Sequence, residues 1–151
     1  MPEKETLERA HEDAREGKSP STQAGEFVRE EMHHIREGKH GAASSKQAIA
    51  IGLSKARRAG VKLQAPRKGR ASSRTRAKAE QDLKKGQSHS KRKPSKTRSR
   101  ATSRALRRKG QSAASHSSLS RQARTAARGR SAASRHDAGM RASRTRKRAR
   151  R

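Results

Sequence analysis

The sequence predicts a mainly α protein in two parts: a small N-terminal helical module over residues 1–65 and a long intrinsically disordered basic tail over residues 66–151. Three observations predict it. Large apolar residues recur at helical spacing only before residue 65, and the tail has no Val, Ile, Phe, Tyr or Trp. Hydrophobic residues make up 26% of the chain, against roughly 45–50% in average globular proteins. Ordering a residue costs roughly 1–2 kcal/mol of backbone entropy, which so little apolar surface does not offset over the whole length. Finally, the formal net charge of +29 is divided unevenly. Up to Ala65 there are 12 Lys/Arg and 10 Asp/Glu; from Pro66 onward there are 30 Lys/Arg and 3 Asp/Glu.

The module reads as two to three short helices. The first covers about residues 3–16, with Leu7, Ala10 and Ala14 on one side and Gly17 at the left-handed position that ends a helix. The second starts at Ser19, a capping residue, with Pro20 at the first helical position and Gly38 as the stop. At 100° per residue, Ala24, Phe27, Val28, Met32 and Ile35 share one side, and Glu31 falls inside that stripe. The third spans 44–60. Ser44 and Gln47 have capping-box spacing, and Ala48, Ile49, Gly52, Leu53, Ala56 and Ala59 form its apolar stripe. Gly60 ends it, with Val61 and Leu63 placed to fold back as a hydrophobic lock. Packing the second and third helices as a hairpin leaves Lys46, Arg57 and Arg58 facing water. "REGK" at 15–18 and 36–39 marks two successive helix-stop, helix-start junctions.

Beyond Ala65, Leu83, Leu106, Leu119 and Met140 are the large apolar residues. Arg/Ala stretches such as 98–109 and 121–130 are expected to become helical once their charge is neutralised. "KGQS" and "SAAS" each occur twice, giving the tail a loosely modular, low-complexity character.

Candidate chemistry is mostly excluded. The chain has no cysteine, so disulfides and thiolate metal sites are absent. Its longest apolar run, 48–53, is far short of the ~18–20 residues that span a bilayer, so no membrane partner is expected. The acidic N-terminus lacks an apolar signal core, which predicts an intracellular protein. Gly17-Lys18-Ser19 lacks the upstream glycine and strand of a phosphate-binding loop, since Glu12 stands where that glycine belongs. His33, His34 and His40 with Glu30 and Glu31 carry E-x-x-H spacing, but di-metal bundles need two such motifs on different helices. The cluster is therefore read as a solvated face, with no metal or other cofactor. Ser, His and Asp in 131–139 lack a rigid scaffold to form a triad. No enzyme is expected.

The basic residues point to phosphate. Arg outnumbers Lys in the tail, 21 to 9, which favours bidentate contacts. Each neutralised phosphate releases condensed counterion, so affinity grows without base reading. The expected contacts are Lys46, Lys55, Arg57 and Arg58 in the module, then Arg67, Lys68, Arg70, Lys91, Arg92 and Lys93. Farther on they are Arg98, Arg100, Arg104, Arg107, Arg108, Lys109, Arg144, Arg146, Lys147 and Arg148. Single-strand binders stack bases on aromatic side chains, and Phe27 is the only aromatic residue here. Duplex backbone or compact structured RNA is accordingly favoured over base-stacked single strand, and DNA is expected ahead of RNA.

"KQAIAIGLSKARR", Lys46 to Arg58, resembles the motif of an uncharacterised family of short basic bacterial and phage proteins. The resemblance covers roughly residues 1–65, and family members tend to be labelled only as DNA-binding or hypothetical. The tail is similar to linker-histone-like tails in composition alone. The expectation that follows is a nucleoid-associated, histone-like protein of the cytoplasm that binds nucleic acid without sequence preference. Two alternatives stay open: an RNA- or ribosome-associated protein, and a phage or plasmid-maintenance protein whose head self-associates or binds a protein partner.

Overall fold

A computed structural model describes residues 2–88 and 95–149. Helices α1 (Lys4–Arg15), α2 (Pro20–Arg36) and α3 (Ser45–Arg58) occupy the N-terminal third. Their ends are set by local chemistry. Ser19 Oγ accepts from the Thr22 N–H at 3.3 Å and Ser44 Oγ from the Gln47 N–H at 3.2 Å, satisfying donors that a helix start leaves open. Gly17, Gly38 and Gly60 take φ of 71°, 76° and 102°. After each one, the next N–H reaches back into the last turn: Lys18 to the Asp13 carbonyl, Lys39 to His34, Val61 to Ala56. These are Schellman stops, and both "REGK" copies form one.

Helices α1 and α2 run antiparallel, because Glu3 meets His34 while Arg9 meets Glu26 at 2.7 Å. Helix α3 packs on α2 through Gly52, where a Cβ would lie 2.7 Å from Val28 Cα. Ala10, Ala24, Phe27, Ala56 and Val61 form a buried cluster, with Leu7, Leu53, Ala59 and Leu63 packed against it. Met32 and Ile35 are buried on the same helix as Phe27. Glu31 is fully buried too, although a carboxylate inside an apolar stripe argues against packing there.

The segment after Ala65 overturns the expected disordered tail. Four further helices follow: α4 (Ser73–Gln87), α5 (Lys96–Arg107), α6 (His116–Arg128) and α7 (Ala132–Ala149), with a 3-10 turn at Ser112–Ala114. The chain is all-helical among the described residues, and residues 98–107 and 121–128 are helical. The local reason is composition. Ala, Arg and Lys are among the best helix formers, and Ser72 caps α4 by accepting from the Thr75 N–H at 3.2 Å.

Packing supplies the rest without bulky residues. Helix α4 buries Ala79 and Asp82, and Gly86 lies so close to α3 that a Cβ there would overlap the Arg57 carbonyl. Asp82 Oδ2 accepts from Ser54 Oγ at 2.6 Å and Oδ1 from Arg58 Nε at 2.7 Å. Helix α5 itself buries no residue. Its C-terminal end and the chain beyond dock on the α2–α3 connection by backbone bonds: Gly41 N–H donates to Leu106 O at 3.0 Å and Ala42 N–H to Gly110 O at 3.3 Å. Ser45 Oγ then donates to Ala113 O at 2.7 Å, and Arg36 Nε to Ala114 O at 3.0 Å. Ala113 and Ala114 are buried at this contact.

Two compact units result, Met1–Ser115 and His116–Arg151, so the first extends well past Ala65. Within the second, α6 buries no residue. No helix among the described residues is long and apolar enough to cross a membrane.

Candidate nucleic-acid interface

The expected contacts within the first three helices separate sharply by environment. Lys46 is exposed in the first turn of α3, where a cation opposes the helix dipole. Lys55 turns inward, its Nζ 2.8 Å from Glu31 Oε2 and 3.5 Å from Glu30 Oε1. Arg57 does not face water. It is 7% exposed, and its Nε and Nη2 donate to the carbonyls of Leu63 and Gln64 at 3.0 and 3.2 Å. Burial lowers its pKa, with the nearby Asp82 charge opposing the shift. Arg57 therefore fastens the loop after α3 rather than offering a phosphate contact. Arg58 is half-exposed but committed to Asp82.

Arg67, Lys68 and Arg70 are exposed on the turn before α4, where Gly69 takes φ 84° and an isolated bridge joins Lys68 to Ala71. Lys91, Arg92 and Lys93 lie outside the described residues. The same holds for the side chain of Arg148, at the end of α7. Arg144, Arg146 and Lys147 are exposed on α7, with Arg146 Nε donating to the Ala142 carbonyl at 3.4 Å.

Helix α5 carries the densest arrangement. At 100° per residue, Lys96, Arg100, Arg104 and Arg107 fall within one side, spanning about 16 Å of helix axis. All four are exposed, as are Arg98, Arg108 and Lys109. None of these seven has an ion-pair partner among the described residues. Like charges at i, i+4 destabilise an isolated helix by a few tenths of a kcal/mol per pair, and α5 stacks two such pairs with no acidic neighbour. The helix is nevertheless anchored at its C-terminal end, through Leu106 and Gly110 to the α2–α3 connection.

The same register appears on helices whose residues were not singled out from the sequence. Arg74, Lys78 and Lys85 fall within one exposed side of α4, flanking the buried Ala79 and Asp82. Arg121, Arg124 and Arg128 share the exposed side of α6, opposite Leu119 and Ala126. Helical periodicity would have grouped them; reading the segment as unstructured removed the reason to look. Acidic residues are segregated as well. Ten of the 13 lie between residues 3 and 37, and of the three beyond, Asp82 is buried.

Residues 19–69 match DUF6496, a family of unknown function. No curated protein and no solved structure matches the chain.

Proposed function

We propose that this protein binds the phosphate backbone of duplex DNA without sequence preference, as a nucleoid-associated, histone-like protein. The observation that carries the reading is the exposed, uncompensated basic row Lys96–Arg100–Arg104–Arg107 on α5. A row that costs helix stability and meets no acid among the described residues gains its counter-charge from an external polyanion. The rows on α4 and α6 support the same chemistry. An α-helix fits the major groove of B-DNA, and guanidinium forks match phosphate bidentately. With a single aromatic residue, Phe27, buried in the core, no stacking platform is available for unpaired bases.

The test is a salt titration of full-chain affinity for a duplex and for the same duplex with its sequence scrambled. Contacts to about 10 phosphates give a slope of log K against log[salt] near −9. The scrambled duplex should bind equally. A shallow slope, or strong preference for one sequence, would overturn the proposal. Nucleic acid that co-purifies with the chain and resists DNase but not RNase would redirect it to RNA.

A further inference from the structure

Of the cluster that sequence reading assigned to a solvated face, Glu30 and Glu31 are buried and His34 and His40 half-buried, while His33 is exposed. Glu31 is 0% exposed, and neither of its carboxylate oxygens receives a well-directed hydrogen bond. Lys55 Nζ lies 2.8 Å from Oε2 as an ion pair, while Oε1 faces His40 Nε2 at 3.5 Å. Glu31, His34 and His40 each bring one ligating atom within 4.8 Å of the others.

We propose that Glu31, His34 and His40 bind a divalent transition-metal ion of the zinc type. Two imidazoles and a carboxylate are a donor set suited to zinc, copper or nickel. Bonds of about 2.0–2.1 Å place tetrahedral ligand atoms roughly 3.3–3.4 Å apart, close to the separation across His40 and Glu31. The outer contacts favour the ligating tautomers. His40 Nδ1 donates to the Gly41 carbonyl at 3.2 Å, which leaves Nε2 with its lone pair toward Glu31. His34 Nε2 donates to Glu3 Oε1 at 2.8 Å, which leaves Nδ1 as its ligand atom. Histidines that bind metal almost always donate their other ring N–H in this way. Charge agrees as well. Among the described residues, Glu3, Glu30 and Glu31 have two lysines within ion-pair distance, Lys39 and Lys55. The negative charge left over favours a bound cation. Bound there, it joins the end of α2 to the connection on which the chain after α5 docks.

The experiment is calorimetric titration of Zn²⁺ into the chelator-stripped full chain in phosphate-free buffer, repeated with Co²⁺ followed by its visible absorption. One ion per chain is expected. His40→Ala and His34→Ala should each weaken binding by more than about tenfold and abolish the zinc-dependent rise in Tm. His33→Ala, an exposed neighbour outside the cluster, should change neither. Circular dichroism establishes that each variant folds, and His40 is a connection residue whose ring hydrogen bond runs to its own neighbour, Gly41. Absence of stoichiometric binding would overturn the proposal. So would equal loss in His33→Ala and His40→Ala, which would place the ion on exposed histidines.

Discussion

Gly86 offers a direct measurement of whether α4 is docked. It lies inside a helix, so replacement by alanine alone should raise helix stability by roughly 0.8–1 kcal/mol. Docking reverses the sign. A Cβ at 86 overlaps the carbonyl of Arg57 and lies 3.1 Å from the Gly60 nitrogen. Both neighbours are backbone, so neither can swing aside as a side chain would. Helix α4 would have to retreat by about an ångström, and overpacking of that kind costs roughly 1–3 kcal/mol or more. The retreat also stretches the short bonds from Ser54 and Arg58 to Asp82, each charge-assisted and worth roughly 1.5–3 kcal/mol when well formed. The net expectation for Gly86→Ala is a loss of about 1–3 kcal/mol, expressed first as opening of α4. Native-state hydrogen exchange on the full chain reads it, through falling protection of α4 amides. Gly25→Ala is the matched control: Gly25 lies inside α2 with nothing within 4 Å of its added Cβ. That variant should gain roughly 0.8–1 kcal/mol. If Gly86→Ala stabilises the chain as Gly25→Ala does, α4 is not packed on α3 and the reasoning fails.

Replacing Arg100, Arg104 and Arg107 together by alanine should reduce the salt slope for duplex DNA by up to about 3 and leave head helicity intact, since α5 buries no residue. Arg57→Ala should behave oppositely: it leaves the Leu63 and Gln64 carbonyls without their donor, costs about 1–3 kcal/mol by urea denaturation, and leaves the slope unchanged. Ser44→Ala should destabilise α3 by roughly 1 kcal/mol in the same denaturation, because it removes the acceptor for the Gln47 N–H.

Much of the N-terminal third was legible because its signals are local. The serine caps, Pro20, the three glycine stops and the apolar stripes act within one or two turns, and each is found where its chemistry requires it. The candidate interface was legible only as charge. Which cations are free depends on who sits beside them. Arg57 and Lys46 look alike in sequence, yet one ties down a loop and the other is exposed. Glu31 and His40, nine residues apart, look like surface polar residues until the turn at Gly38 brings them together.

By itself the sequence determined the caps, the stops, the stripe of α2 and α3, and a charge distribution that gathers most acids near one end and most cations beyond it. It did not determine that the segment after Ala65 folds, because that reading assumed order must come from bulky apolar side chains. Tertiary structure decided otherwise by a different route. Glycine lets backbones meet, as Gly86 does at Arg57 and Gly41 at Lys109. Alanine fills the narrow space at Ala79, Ala113 and Ala114, and Asp82 secures α4 with two short bonds. Contacts of this kind arise from close approach between segments distant in sequence, and a one-dimensional count of hydrophobic residues carries no trace of them.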